Sequence, residues 1–529
     1  EYAPAKLAAK MPAITHEAPP YYDLSLDFDD GFTLSRAKLS AQVDALQVDG
    51  LTFDHISARA SYQNGIYAID DLYLRRKKQW LDLTFSFDRA SSDYRVALIG
   101  SAVPNEYNAL LPRWWAAIFR DFDFSKTDDS LGDFVIYGNT QRKVADLYFG
   151  HAKTGRVDYK GVALDYGELI VRGRGPYTEL HDLRARSGDG WARGNISFTS
   201  KIDEVNGPAS VRLDLEAKLR LDDAAKLFSG NAAQIIADFK TEGLPLVTLE
   251  GVIFNNRYSQ YVGKSYFNLS AACAEPLHFK DVPIEQLSFD LFGRSEITYL
   301  RNIRFGYAKG QARAEIDVLT PTEAANSLRY QFSLSDADQN MAIHSLPQLN
   351  DLENSLQAEN STENSQTADH TSRVDIRIHG TGPVEDPLRH TGFGNFEMRN
   401  ENLGTIQLLG PLSKALQNTQ FNFTSFSLDK MRGNFRYKND AVHFKPLQID
   451  GPLTQIRAPG SLGLSDQSLD MRVTVSLFGN AGNPDSNIRK LGDFISKPIP
   501  NLLQFELTGT LQNQKLRSLY DPRNLILGF

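Results

Sequence analysis

The chain has 529 residues, of which 41% are hydrophobic and 11% aromatic, so it can bury a large core and exceeds the size of one ordinary domain. Its formal charge is −8, and its basic residues are scattered apart from the run 75–78. This balance disfavours a nucleic-acid partner, which would need a broad basic surface. The single cysteine, Cys273, excludes an intrachain disulfide, and no apolar run reaches the roughly 18 residues of a membrane-spanning helix.

The first residues contain four prolines, at positions 4, 12, 19 and 20. We interpret residues 1–20 as an N-terminal tether that leads into the first strand. The printed sequence begins at Glu1 rather than at a methionine. We therefore expect that a signal peptide or a membrane anchor precedes it in the full-length protein.

One apolar spacing occurs four times along the chain. The copies start at Ile56, Leu169, Leu287 and Met431, and each has a second apolar anchor, at Leu72, Leu183, Ile303 and Leu447. Beyond the second anchor, each copy opens a run in which apolar and polar residues alternate, at 81–87, 192–198, 312–318 and 456–462. Alternation with a period of two is typical of a strand with one covered and one wet face. The sequence therefore predicts a repeated, mostly β structure.

Turn and helix signals separate these strands. Asn64-Gly65 and Asn439-Asp440 suit two-residue hairpin turns, because both residues of each pair tolerate positive φ. The stretch 211–221 alternates like a further strand. Helix-like patterns follow at 105–120, 223–239 and 486–495, with a weaker one near 340–352. We predict a repeating body over 21–354, with about three repeats and the helices between them.

A polar insertion follows this body. Residues 355–372 are rich in Asn, Ser, Gln, Asp and Glu and cannot bury enough apolar surface to offset the entropy lost on ordering. We interpret 355–372 as mobile and 373–529 as a C-terminal domain.

No catalytic motif of comparable strength accompanies the repeat. The ten histidines lack metal-ligand spacing, and no Gly-x-Ser-x-Gly elbow is present. We interpret Cys273 as a small buried residue and the aspartates at 27–30 and 121–129 as members of solvated turns, although carboxylates can hold hard cations. We expect no enzymatic activity, no metal and no cofactor. A carbohydrate-active enzyme stays open as a minor alternative that a cleft with two facing carboxylates would support.

Several short motifs follow one another near the C-terminus. They are Gly392-Phe393-Gly394-Asn395-Phe396, Leu408-Leu409-Gly410-Pro411-Leu412 within a predicted helix 403–416, Phe421-x-Phe423, Phe426-x-Leu428, Met431-Arg432-Gly433-Asn434-Phe435, Leu447-Gln448-Ile449-Asp450-Gly451, Gly460-Ser461-Leu462-Gly463-Leu464 and Leu507-Thr508-Gly509-Thr510-Leu511. In this order, over 392–529, they resemble the C-terminal domain of AsmA-like envelope proteins, a family that includes TamB-type relatives. Residues 21–354 resemble that family only through the repeat.

The resemblance implies a mostly β fold in which an elongated, twisted antiparallel sheet curls into an open hydrophobic groove, a repeating β-groove with a few short helices. It also implies a periplasmic body in a Gram-negative bacterium, anchored to the inner membrane through an N-terminal helix that this sequence lacks. The implied role is to bind phospholipid or another acyl lipid and to move it toward the outer membrane, where a further partner is expected.

The alternation suggests how such a groove would work. The predicted helices are too sparse to cover the apolar face of so many strands, so that face must curl inward or bind something. Ten inward-facing residues are our candidates for a lipid-contacting floor: Leu83, Phe85, Leu213, Leu215, Leu219, Ile316, Val318, Phe332, Val374 and Ile376. An ordinary sandwich or barrel core is the alternative for these residues. The alternative function is an interaction scaffold for outer-membrane protein assembly, acting through exposed strand edges.

Overall fold

A computed structural model describes residues 14–16, 19–108, 119–127, 130–142, 146–175, 177–199, 209–227, 231–255, 262–294, 296–321, 325–345, 372–399, 429–451, 454–477, 502–511 and 513–519. The chain divides into two compact units. Unit 1 contains Glu1–Asp238 and Leu244–Ser270, and unit 2 contains Phe239–Gly243 and Ala271–Phe529.

Strands dominate the described residues of both units. The strands are β1 (Ile14–His16), β2 (Tyr21–Phe28), β3 (Leu34–Val48), β4 (Leu51–Gln63), β5 (Ile66–Arg76), β6 (Gln79–Asp88), β7 (Asp93–Ser101), β8 (Phe122–Asp123), β9 (Ser130–Asn139), β10 (Leu147–Thr154), β11 (Val157–Tyr159), β12 (Val162–Leu164), β13 (Tyr166–Arg174), β14 (Tyr177–Ser187), β15 (Gly190–Thr199), β16 (Ser210–Lys218), β17 (Phe239–Thr241), β18 (Leu246–Phe254), β19 (Tyr266–Cys273), β20 (Leu277–Phe279), β21 (Val282–Arg294), β22 (Ile297–Tyr307), β23 (Gly310–Leu319), β24 (Ser327–Asp338), β25 (Arg373–Pro383), β26 (Thr391–Arg399), β27 (Lys430–Lys438), β28 (Ala441–Asp450), β29 (Thr454–Gly463), β30 (Ser468–Leu477), β31 (Leu502–Thr510) and β32 (Gln514–Ser518). The α-helices are α1 (Leu221–Leu227), α2 (Asn231–Ala237) and α3 (Gln339–His344), and two 3-10 helices span Pro104–Tyr107 and Pro387–Arg389.

Unit 1 is built on an antiparallel meander in which strands pair in chain order. From β2 the ladder runs through β3 to β7, then β9, β10, β13 to β16 and β18. β1 pairs with β3 at Leu46–Val48, so three residues of the predicted tether belong to the sheet. A separate sheet of β8, β11 and β12 accompanies this ladder.

Unit 2 repeats this architecture. Its ladder runs in chain order from β20 through β21 to β32, always antiparallel, with β17 beside β20. Among the described strands, β2 pairs only with β3 and β32 only with β31, so each of these end strands leaves one edge open. The predicted class of fold is confirmed: mostly β, with a large, open antiparallel sheet and few short helices.

The four sequence repeats correspond to four equivalent three-strand groups. The predicted period-two runs are strands β6, β15, β23 and β29. In each copy the strand just before this run carries a β-bulge, and the second anchor is the first paired residue after it. The pairs that flank the bulges are Ile69/Leu72, Leu180/Leu183, Leu300/Ile303 and Phe444/Leu447. Each bulge therefore keeps two apolar residues on one face although they lie three positions apart.

The turns confirm the predicted hairpins. Asn64 and Gly65 join β4 to β5 with φ of 51° and 84°, and Asn439 and Asp440 join β27 to β28 with φ of 53° and 61°. Both central residues thus adopt the left-handed conformation that a type I′ turn requires.

Two predicted elements differ from the structure. The strand predicted over 211–221 ends at Lys218, because α1 begins at Leu221. The helix predicted over 223–239 is divided into α1 and α2, and β17 already begins at Phe239. The sequence Ser229-Gly230 lies between the two helices, and glycine is a poor helix former.

Other predicted segments lie partly or wholly outside the described residues. These are 109–118 of the first predicted helix, 346–352 of the weak one, the helices 403–416 and 486–495, and the insertion from 355 to 371. The boundary between the two units falls within the predicted body 21–354. The four predicted segments themselves stay predictions.

Dense packing is concentrated in the last strands of unit 2. Ile449, Val475 and Val473 are at most 3% exposed and pack with Ile456 and Met471 in one cluster. Burying one such side chain contributes about 1.5–3 kcal/mol. In the described part of unit 1, the buried apolar residues other than glycine are Phe53, Phe124, Val157, Val162, Ala209 and Pro245. Most of the apolar side of the unit 1 sheet is therefore only half-buried.

Candidate functional site

An unbroken apolar row crosses the sheet of unit 1. Residues paired across an antiparallel ladder point to the same face, so the pairing register defines the row directly. From β2 to β18 its members are Tyr22, Ala41, Ala58, Leu72, Leu83, Leu98, Phe134, Gly150, Val171, Leu180, Ile196, Leu213 and Gly251. Thirteen successive strands thus contribute a residue without ionisable charge at neutral pH.

The strands of unit 2 carry an equivalent row. From β22 to β32 its members are Ile303, Ala314, Phe332, Ile378, Gly394, Phe435, Phe444, Gly460, Met471, Leu507 and Leu516. We call the face that carries each row the apolar face of that unit.

The structure places nine of the ten predicted floor residues on these faces. Leu83, Phe85, Leu213 and Leu215 share the apolar face of unit 1. In unit 2, the residues that share the apolar face are Ile316, Val318, Phe332, Val374 and Ile376. Leu219 lies just beyond the end of β16 and belongs to no strand. It was predicted as a floor residue because the alternation of the sequence continues past the last paired residue.

Burial distinguishes these faces from a closed core. Nine of the ten candidates are half-buried, and only Val374, with 7% exposure, is buried. Inner residues of a packed β-sandwich are covered by a second sheet and interdigitate with it. Within the described part of the chain, most of the candidate floor residues are not covered as completely as that.

The opposite faces of the same strands carry charges. In unit 1, Arg172 Nε donates to Glu179 Oε2 at 2.8 Å, and this hydrogen bond holds the pKa of Glu179 below its usual value. In unit 2, Arg301 Nη2 donates to Asp317 Oδ1 at 2.5 Å. Ion pairs near the surface contribute little stability, but these two place charged groups on that side of the sheet.

Aromatic rings fill the space above glycines on the apolar faces. In unit 1 the ring of Phe134 covers Gly150, and the ring of Tyr148 covers Gly173. In unit 2 a Cβ on Gly433 would lie 2.7 Å from Cε1 of Phe396. These rings lie along the sheet instead of standing away from it, so each apolar face is broad and partly aromatic.

A small polar cluster interrupts the apolar face of unit 2. The hydroxyls of Tyr330 and Tyr437 are 2.8 Å apart, and Tyr330 Oη lies 3.3 Å from Nδ1 of His390. Burial, and then the hydrogen bond to Tyr330, raise the pKa of Tyr437 above its ordinary range. Tyr437 therefore stays neutral at physiological pH and adds a hydroxyl, but no charge, to the face.

Two exposed apolar regions were not predicted from the sequence. The first is β2, where Tyr22, Leu24 and Leu26 are 68%, 52% and 45% exposed. Their alternation is visible in the sequence, but nothing there shows that β2 is an end strand. The second is a patch on the charged face of unit 1, where Tyr137 is 50% and Phe149 58% exposed. Neither residue belongs to one of the four period-two runs.

The aspartates considered as cation ligands lie only partly in turns: Asp29 follows β2, but Asp27 lies in β2 and Asp123 in β8, so the prediction of a turn is wrong for these two. Asp29 Oδ1 accepts hydrogen bonds from the backbone N–H groups of Gly31 and Thr33, at 3.0 and 2.7 Å. Asp123 Oδ1 accepts one from Ser125 N at 2.8 Å, and this bond lowers the pKa of Asp123. Within the described ranges, no three His, Cys, Asp or Glu side chains gather as a metal site. Cys273 is buried and packs against Leu277 and Ile284.

Comparisons with known proteins add no family. In the part of the chain that the structure describes, none of the helices combines the length and the apolar character needed to cross a membrane. No protein-family model matches the sequence, and no curated protein matches it significantly.

Proposed function

We propose that the protein binds lipids in the cell envelope and transfers them between the inner and outer membranes. The acyl chains of a phospholipid, or of another acyl lipid, would lie on the apolar faces of the two units. The headgroups would stay in water. No bond is made or broken in this process, and no cofactor is required.

The observation that carries the proposal is the unbroken apolar row. Contact with such a surface stabilises an acyl chain by about 25 cal/mol per Å² of apolar area removed from water, or roughly 0.8 kcal/mol for each buried CH₂ group. Along the row from Leu83 to Leu213, every strand offers an apolar residue or a glycine at the same level. A chain that moves from strand to strand therefore exchanges one apolar contact for another.

The half-buried state of the row supports the same proposal. A face of this kind leaves apolar area in water, and an acyl chain would cover it. If one residue of the row were ionised, each acyl chain that passed over it would remove water from the charge, and this desolvation costs free energy. Tyr437 of the unit 2 cluster avoids this cost, because it remains neutral.

The proposal is tested by transfer of a fluorescent phospholipid between vesicles. Leu215→Glu and Ile316→Glu each place a charge on an apolar face and should slow transfer at least tenfold while circular dichroism still shows the folded sheet. Ile99→Lys is the matched control, since it also introduces a charge, at a residue that is 40% exposed and pairs with Asp82 and Asp133 on the opposite face. Unchanged transfer by both face variants would refute the proposal.

The exposed strand β2 favours a second candidate function, a scaffold that binds strands of outer-membrane proteins at its edge. Edge strands with unpaired backbone groups readily add another strand. Crosslinking from β2 to outer-membrane proteins, together with purified protein free of lipid in native mass spectrometry, would favour this function over lipid transfer. Bound lipid without such crosslinks would favour the first.

A further inference from the structure

The end strand β2 is exposed along its whole length. All eight residues from Tyr21 to Phe28 are exposed, and β3 is their only strand partner within the described part of the chain. Their pairing with β3 sets Tyr22, Leu24 and Leu26 on the apolar face and Asp23 and Asp27 on the other. β2 contains no lysine, arginine or proline. One side of this edge is therefore apolar and the other acidic.

The end strand β32 of unit 2 has the opposite charge. It reads Gln514-Lys515-Leu516-Arg517-Ser518, and β31 is its only described strand partner. Leu516 pairs with Leu507 and so belongs to the apolar face, while Lys515 and Arg517 are exposed on the charged face. Arg517 Nε also donates to Glu506 Oε2 at 2.9 Å, and its side chain remains 74% exposed.

The two end strands match each other in pattern. Each places leucine on the apolar face and charge on the opposite face, with acidic residues in β2 and basic residues in β32. If the strands were antiparallel with Leu516 opposite Leu24, Arg517 would lie opposite Asp23. With Leu516 opposite Leu26, Lys515 would lie opposite Asp27. With Leu516 opposite Tyr22, Lys515 would lie opposite Asp23. All three registers preserve the apolar face and pair opposite charges, which favours sheet pairing.

We propose that β32 of one copy of this chain pairs antiparallel with β2 of a second copy. The contact joins two different surfaces, so it is heterologous and can extend into a head-to-tail series. Only the five residues of β32 take part, and the association is therefore weak and depends on protein concentration. The proposal stands independently of lipid binding, although the pairing would carry the apolar face of one copy onto the next.

Crosslinking between two differently marked copies tests this pairing. Cys273→Ala removes the native thiol, and Leu24→Cys or Leu516→Cys then provides a single thiol in each preparation. A short bis-maleimide should join the two proteins in a mixture and give little dimer in either preparation alone. The mixture excludes contacts within one chain, because each copy carries only one of the two cysteines.

Charge reversal tests the chemistry of the contact. Asp23→Lys with Asp27→Lys should reduce the mixed dimer about tenfold, since like charges then face one another across the ladder. Lys515→Glu with Arg517→Glu in the other copy should restore it. Circular dichroism of each variant checks that these exposed substitutions leave the sheet folded.

Three results would overturn the proposal. The first is absence of the mixed dimer at high protein concentration, and the second is equal crosslinking within single preparations. The third is a dimer yield that does not respond to charge reversal. Selective capture of outer-membrane protein strands at Leu24→Cys, with no mixed dimer, would assign the edge to a client instead.

Discussion

The ring of Phe134 in β9 lies over Gly150, its partner in β10, and occupies the space that a Cβ at position 150 would need. Both residues belong to the apolar row of unit 1. The ring therefore replaces the missing side chain of the glycine and seals the backbone between the two strands. Glycine normally weakens a strand, and a ring from the neighbouring strand compensates for this.

Gly150→Ala should destabilise unit 1 by about 1–3 kcal/mol, because the new methyl group forces the ring of Phe134 out of its place. The measurement is chemical denaturation followed by circular dichroism. Gly167→Ala is the matched control on the neighbouring strand β13, where the nearest atom to a new Cβ is Thr154 Cγ2 at 3.3 Å. The control should cost less than 1 kcal/mol.

A double-mutant cycle isolates the contact between ring and glycine. In a Phe134→Ala background the space above Gly150 is open, and Gly150→Ala should be neutral or stabilising, since alanine loses less backbone entropy than glycine on folding. An equal cost of Gly150→Ala in both backgrounds would contradict the close approach.

The loss of folding free energy on truncating an isoleucine to alanine should differ between the open apolar face of unit 1 and the dense core of unit 2. Ile449, which is 1% exposed, lies in the core cluster of unit 2, and Ile449→Ala should cost about 2–5 kcal/mol. Ile196 is half-buried on the apolar row of unit 1, and Ile196→Ala should cost about 1–2 kcal/mol. Each value is read from the urea-induced unfolding of the unit concerned. Equal costs would indicate a closed core in unit 1.

The bulge in β22 depends on a left-handed residue. Asn302 has φ of 53°, and its Nδ2 donates to Asp290 Oδ2 at 2.7 Å. Glycine and valine at this position both lose that hydrogen bond, but only valine has a branched Cβ. Asn302→Val should therefore be about 1–2 kcal/mol less stable than Asn302→Gly in urea-induced unfolding.

The same pair of substitutions at Gln331 provides the comparison. Gln331 is exposed in β24, and valine is favoured over glycine in an ordinary strand position. The order of stability should thus reverse between the two sites. If the valine variant at position 302 were more stable than the glycine variant, this result would contradict the bulge.

From the surroundings of Asp223 we predict that the folded protein loses stability in acid. Burial works to raise the pKa of Asp223, but hydrogen bonds from Lys226 and Arg220, both at 3.0 Å, outweigh it and hold the pKa below 3.8. The folded state thus binds this proton less readily than the unfolded chain. Its stabilising contribution is complete above the unfolded pKa and is lost as the pH falls through the folded pKa.

Thermal unfolding at about pH 7 and about pH 3 measures this contribution. Asp223→Asn should lower the Tm at neutral pH, because the amide accepts weaker hydrogen bonds than the carboxylate. Its Tm should also fall less between the two pH values than that of the wild type. The same acid-dependent fall in both proteins would show that Asp223 does not contribute.

The regular strands were predictable because apolar and polar residues alternate along their sequences. The runs that became β6 and β23 needed only a period of two, and the turn at Asn64-Gly65 needed only two residues that tolerate positive φ. The placement of Leu83 and Ile316 on apolar faces followed from the same period. Each of these signals is local.

The remaining features depend on which strand pairs with which. The bulge between Ile69 and Leu72 looks like a loss of alternation until the register with β6 is known. Leu219 continues a regular pattern, yet the paired strand ends before it. The contact of Phe134 with Gly150 joins neighbouring strands, and the sequence contains no signal for that pairing. The sequence also gave no sign that β2 would be left with one partner.

The most direct test of lipid binding is site-specific photo-crosslinking in cells. A photoreactive amino acid replaces Leu213 or Phe332 on the apolar faces, and in the matched controls it replaces the adjacent Arg212 or Ser333 on the opposite faces. After illumination, mass spectrometry of the purified protein identifies the adducts. We predict phospholipid adducts at Leu213 and Phe332 and none at the two controls. Adducts at all four positions, or at none, would contradict the proposal that the apolar faces hold lipid.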